Sequence, residues 1–396
     1  MAPRHARLLT RLIWAVLGVT IALGQAGWAQ SAAPVMNPQV VWVSEQYHSG
    51  GAYTAIQAAP DGRVYLGTTT YGAFAHLLVL PAGGRDFQHI ADMGVATGER
   101  TPGDNAQAKI HTKPAIGPDG RVWFATKSGE RATEAAQGAY PGGHLLSYDP
   151  QTGRVTDYGI PRPRQSIIAV GVDRQRNIVY ALTDPEIHLI TFDPRTRTFA
   201  DKGALATGLR QPTRYLVTLA NGDVYHTLGA DAIMRYQAAS GRIERLSLQF
   251  SGRGSFEVPY ALAPSTDGTR FYGVGEASGQ VYTFTPGDRT VSVQLHGAAA
   301  GSGGNHYTMT AAPDGSVYYT ATYGRRSTLV ILRLSRSGTP EVVGQVGALP
   351  PPPQPVRRGE AAFYVQGSTA GPDGTLYVML AYPLRVLVFP RLAAAR

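Results

Sequence analysis

Apolar and aromatic residues come along this chain in short runs, each broken by an Asp-Gly, Asn-Gly or Pro-containing turn. One phrase recurs seven times: an Asp-Gly or Asn-Gly turn, a β-branched or apolar residue, then an aromatic. It reads Asp61-Gly62-Arg63-Val64-Tyr65, Asp119-Gly120-Arg121-Val122-Trp123 and Asn221-Gly222-Asp223-Val224-Tyr225, and returns at Asp267 to Tyr272, Asp314 to Tyr318 and Asp373 to Tyr377. A degenerate copy runs from Asp173 to Tyr180. The aromatics are spaced 58, 57, 45, 47, 46 and 59 residues apart, which is the length of one propeller blade plus loop insertions. Asp-Gly and Asn-Gly tolerate the positive φ of a hairpin turn, and the residues after each turn have strand composition.

A second phrase comes after each copy: an apolar strand, a Pro/Gly turn, another strand. His144-Leu-Leu-Ser-Tyr-Asp-Pro150 and His188-Leu-Ile-Thr-Phe-Asp-Pro194 are the clearest examples. Each unit therefore holds four antiparallel strands, A and B around the Asp-Gly turn, then C and D. Such units stack radially, which predicts an all-β, seven-bladed β-propeller. The last unit ends at its C strand, Leu384 to Phe389, and a spare strand, Val40 to Ser44, precedes the first. The N-terminal strand is expected to complete the last blade and close the ring, which leaves fewer bare sheet edges.

Residues 1–29 read as an export signal rather than as part of this fold. Arg4, Arg7 and Arg11 precede a short apolar core, Leu12 to Leu23, and Gly27-Trp28-Ala29 offers small residues before a cut. The mature propeller then occupies 30–396, expected in the periplasm or secreted and off the membrane once the signal is cleaved. The chain contains no cysteine, which excludes disulfides and thiolate chemistry. Its net charge is +9; removing the three signal arginines leaves 33 basic against 27 acidic residues, or +6. Almost all of that base is Arg, which pairs with carboxylate or sulfate through two parallel hydrogen bonds. No basic run points to nucleic acid, so an acidic polysaccharide or oligosaccharide is the expected partner, met by a monomer.

The topology predicts where a site would lie. A–B and C–D turns fall on the bottom face, and D–A and B–C connections on the top. The long insertions, Val95 to Ile110, Ser128 to Gly143, Ala298 to Asn305 and Ala348 to Phe363, are all top connections. Long loops on a rigid scaffold are where sites usually live. Counting back from the Asp-Gly turns places Tyr53, His111, Arg214, Tyr260, His306 and Tyr307 at the upper ends of the A strands. Lys113 is expected to share the side of His111, and His144 to open strand C of the same blade beside it. No G-x-S-x-G, H-E-x-x-H or phosphate-loop motif occurs, and no His–carboxylate spacing diagnostic of a metal, so neither cofactor nor metal is expected.

The set His, His, Arg, Tyr, Lys suits β-elimination on a uronic-acid sugar. A cation offsets the carboxylate and stabilises the enolate-like intermediate, a neutral His or ionised Tyr removes the C5 proton, and a second group protonates the leaving O4. Arg214 and Lys113 are candidates for the cation; His111, His144 and Tyr260 for the proton transfers; Tyr140, His306 and Tyr307 for substrate contacts. The run His111-Thr-Lys-Pro-Ala-Ile-Gly-Pro-Asp-Gly-Arg-Val-Trp123, with Tyr140-Pro-Gly-Gly-His144 after it, resembles seven-bladed polysaccharide lyases of the ulvan-lyase type. That resemblance implies two His from one blade, a Tyr and an Arg around the uronate. His111 and His144 match the pair by position and Arg214 matches the Arg. The segment Thr183-Asp-Pro-Glu-Ile-His188 lacks the Tyr, which Tyr260 would replace. The repeats are also similar to streptogramin-lyase-like propellers. The alternative from another class is a non-catalytic exported propeller that binds a glycan or protein on its top face. A third reading is a lyase or hydrolase acting on a small cyclic ester or amide.

Overall fold

In the computed structural model the described residues are 33–392, apart from 104, 130–139, 207–213, 228–231, 300–303, 325 and 354–362. The proposed signal, 1–29, lies outside them.

The recurring turn behaves as its residues require. The glycine is left-handed in six copies, with φ of +83° at Gly62, +81° at Gly120, +85° at Gly222, +64° at Gly268, +82° at Gly315 and +83° at Gly374. In the degenerate copy Asn177 takes that conformation, φ +53°, as Asn can. In each copy the leading side chain accepts a backbone N–H two residues on, for example Arg63 N to Asp61 Oδ1 at 3.0 Å and Gln175 N to Asp173 Oδ1 at 2.9 Å. The aromatics after the turns drop into the seams between blades: Tyr65, Trp123, Tyr180, Tyr225 and Tyr318 are all buried. Aromatics bury large apolar area, so these five turns are coupled to the next blade.

Among the described residues the strands form seven four-stranded antiparallel units in chain order. The first is Ile56–Ala58, Val64–Gly67, His76–Leu80 and Gln88–Asp92. The inner strands of the next units are Ala115–Ile116, Ser166–Asp173, Val217–Thr218, Pro259–Pro264, Met309–Ala311 and Val365–Ala370. In the second unit the inner strand is split, with Lys109–Ile110 pairing separately and His111 to Pro114 irregular between.

The ring closes as the sequence predicts, with a small shift of bounds. Gln39–Trp42 pairs antiparallel with Arg385–Phe389, Gln39 opposite Val388 and Trp42 opposite Arg385. Two further seals have no counterpart in the repeat pattern. Val35–Met36 pairs in parallel with the outer strand of blade six, Pro340–Val346. The outer strand of blade four, Arg242–Gly252, pairs in parallel with Thr290–Gly297 of blade five, joining both blades into one eight-stranded sheet. Both cover backbone groups that an outermost strand would leave open.

Candidate functional site

The upper ends of the A strands and the B–C connections converge on one mouth. Tyr53 is its centre: its hydroxyl meets that of Tyr71 at 3.0 Å and that of Tyr382 at 2.8 Å, joining blades one and seven. Burial drives the phenols of Tyr53 and Tyr71 well above their ordinary range, and that of Tyr382 up to about 12. All three are therefore neutral hydrogen-bonding groups at physiological pH. Cations sit over their rings: Lys109 Nζ is 4.7 Å from the Tyr71 centroid and Arg214 is 5.8 Å from that of Tyr53. On another part of the rim Arg326 lies 3.7 Å over Tyr364 and donates to the Tyr307 hydroxyl at 3.2 Å. Tyr307 meets Tyr260 edge-on, and Tyr364 meets Tyr382 in the same way.

His111 is buried against Tyr53, ring on ring at 5.3 Å, and its Nδ1 has no hydrogen-bond partner among the described residues. Burial, then the charges of Arg214, Lys127 and Lys109, push its pKa well below the usual histidine range. It is a neutral imidazole held among cations. Lys127 is itself ion-paired with Asp184 of blade three, and Glu276 faces Tyr260 and Tyr307. Burial also raises Tyr260, against the opposing charge of Arg214.

His111, Arg214, Tyr260 and Tyr307 thus come together, as counting along the repeat suggests. The other candidates lie elsewhere. His144 opens strand C, two strand spacings or about 10 Å out from the inner strand. Its Nδ1 meets Asp157 at 2.8 Å and its Nε2 faces Glu99 at 4.0 Å. Gln107 bonds Glu99 at 2.6 Å and accepts from Tyr140 at 2.9 Å, so Tyr140 belongs to this peripheral cluster. His76 and His188 occupy the matching place in blades one and three, facing Asp92 at 3.8 Å and Asp201 at 2.9 Å. The His–Asp pair is thus a repeated clamp between strands C and D. His306 is fully buried in blade six, 6.1 Å from the Tyr319 ring. Lys113 does not share a strand side with His111, because the irregular stretch between them breaks the alternation. Its Nζ instead donates to the Ser368 carbonyl of blade seven at 2.8 Å, from the wall of the axial cavity.

Sequence reasoning left Tyr71, Lys109, Arg326, Tyr364 and Tyr382 out of the site. Tyr71, Arg326 and Tyr382 lie on B–C connections, six, eight and five residues beyond a strand-B aromatic: Tyr65, Tyr318 and Tyr377 respectively. A search of the B–C connections beyond each of those aromatics would have flagged them, although the connections differ in length and no single count reaches all three. Among the described residues no cluster of three His, Asp or Glu could hold a metal ion.

No known family matches the chain, and no curated protein does. Solved structures do match in shape. The WD40 repeats of RRP9 align with a TM-score of 0.58 at 10% identity, over 91% of this chain and 99% of that one. The β-propeller domain of Myceliophteria thermophila Cps50 (Swd1) gives 0.55 at 11%, over 86% and 98%. The extracellular domain of the one-component system BT4673 from B. thetaiotaomicron gives 0.55 at 10%, over 90% and 40%. Identities this low speak to architecture alone, and what they establish with the sheet topology is that this chain is a β-propeller.

Proposed function

We propose that the top-face mouth binds an anionic, ring-bearing ligand, a uronate-containing oligosaccharide or polysaccharide, on an exported protein. The observation that carries this is the state of two arginines. Arg214 and Arg326 each lie over a tyrosine ring, and neither is in an ion pair among the described residues. A guanidinium so placed keeps N–H groups for a carboxylate, while the tyrosine faces and hydroxyls suit a sugar ring. The residues at 1–29 support export, and the +6 charge of the mature chain suits an acidic glycan.

A second reading is favoured by His111. A neutral imidazole beside Arg214 is the protonation state that a base for C5 proton abstraction needs, and β-elimination would follow the ulvan-lyase pattern with His111 as base and Arg214 on the carboxylate. One of the neutral phenols of Tyr53, Tyr71 or Tyr382 would then give its proton to the leaving O4 as the C4–O4 bond breaks, and solvent would return to it the proton taken up by His111. His144, clamped by two carboxylates in the periphery, has no part in this version.

One experiment addresses both readings. The mature protein is titrated calorimetrically with oligouronates and with neutral oligosaccharides of equal length, while the absorbance of an unsaturated uronate product is followed. Saturable heat with the acidic sugars alone supports binding, and accompanying absorbance supports the lyase. Equal or absent heat with both sugar classes contradicts the proposal.

A further inference from the structure

Below the mouth the A strands enclose an axial cavity of about 320 Å3. Its charged lining residues are Lys113, Arg174 and Arg214, and no acidic residue is among the described ones that line it. They stand at different levels. Arg214 is at the upper end of its strand. Lys113 reaches across to Ser368 in blade seven. Arg174 comes just after the lower end of Ser166–Asp173 and donates to the Ile116 carbonyl at 3.0 Å.

Lys113 and Arg214 are half-buried and Arg174 is exposed at the lower end. An ammonium partly withdrawn from water favours a counter-charge or sheds its proton more easily. Lys113 has neither an acidic partner among the described residues nor a complete set of acceptors: of its three N–H groups one is used. Burial lowers its amine to about 8, so it still carries its charge at neutral pH. Two hydroxyls are also unsatisfied. Thr218 Oγ1, on the cavity wall, and Ser368 Oγ, on the residue that receives the Lys113 bond, are buried without a hydrogen-bond partner among the described residues. Three cations on one cavity wall with no acidic residue among the described residues that line it describe a place for negative charge.

We propose that the axial channel is a binding site for a small inorganic anion, of chloride to sulfate size, with Lys113 as its central ligand. The site is separate from the glycan reading of the mouth: it uses none of the tyrosines there and not Arg326, and Arg214 is the one residue the two share. The anion offsets the column of cations and ties blade two to blade seven across the axis.

Chlorine NMR of sodium chloride with the mature protein tests this at constant ionic strength. The expected result is a saturable excess linewidth that Lys113→Met abolishes, Lys113→Arg retains and Arg326→Met leaves unchanged. Chloride affinity falls about tenfold between about pH 7 and about pH 9 as the Lys113 amine loses its proton, and Lys113→Arg removes that fall. The pH arm uses the wild-type chain and so does not depend on how a variant folds. Displacement of chloride by inorganic sulfate would extend the site to oxyanions; failure to displace would restrict it to halides. A broadening that survives Lys113→Met in folded protein, or wild-type protein that shows neither chloride broadening nor heat with sulfate, overturns the proposal. Loss of oligouronate binding with chloride binding intact would count against the mouth alone.

Discussion

His111 and His144 stand in the same blade, both near the top face, yet their surroundings have opposite sign. His144 has a carboxylate on each ring nitrogen, Asp157 at 2.8 Å and Glu99 at 4.0 Å. His111 has cations, Arg214, Lys127 and Lys109, and a tyrosine face. One histidine is occupied in holding two strands together; the other is left neutral and incompletely bonded at the axis. The difference shows that proximity along the chain, or even within a blade, does not make a site. Radial position does, because only the innermost strand and the top connections face the shared mouth.

Both environments depend on a closed ring, so the largest effect should come from removing the closing strand. Deleting 33–42 strips blade seven of its outer strand and blade six of its parallel cover. Loss of cooperative thermal unfolding in that variant is expected; an unchanged melting temperature would show that closure does not hold either histidine in place.

Two double-mutant cycles in urea would sharpen the contrast between the histidines. His144 and Asp157 should show a favourable coupling of about 0.5–3 kcal/mol, as direct partners do. His111 and Arg214 should show coupling near zero or unfavourable at neutral pH, since a neutral imidazole gains nothing from a guanidinium. A favourable His111–Arg214 coupling of the same size would erase the distinction.

A smaller effect follows from pH. The folded state holds His111 neutral below its ordinary range, whereas the unfolded chain protonates it near about 6.5. Above that pH neither state carries the extra proton and the stability is complete. As pH falls below it the unfolded state gains a proton first, so stability drops by up to about 1.4 kcal/mol per pH unit from this group until the folded pKa is reached. His111→Asn should flatten this part of the urea-midpoint profile, and an unchanged acid limb would contradict it.

Much of the fold was legible because its information is local and repeated. Seven copies of one turn, each with a residue that tolerates left-handed φ and a side chain that caps the following N–H, specify seven hairpins without any knowledge of the ring. Closure was legible too, from a missing D strand and a spare one. The parallel seals by 35–36 and by Arg242–Gly252 were not, since they join strand edges through backbone groups that no side-chain pattern reports. The site was half legible. His111 and Arg214 follow from strand register. His144 looked like a partner because it opens strand C of the same blade at the top and matches the lyase pattern by position, although its phrase repeats in blade three as His188, and a repeated residue speaks for a repeated structural task. Tyr71, Tyr382 and Arg326 lie on connections whose lengths differ, so no common count reaches them.

We propose that recognition of an acidic sugar falls to the axial mouth and not to the peripheral histidine cluster. Calorimetric titration of an oligouronate into wild type, Arg214→Met with Arg326→Met, and His144→Gln tests that assignment most directly. Affinity should collapse in the double arginine variant, each lost charge-assisted contact being worth about 1.5–3 kcal/mol, while His144→Gln should bind as wild type does. Unimpaired binding by a folded arginine variant, or loss of binding in folded His144→Gln, would contradict it.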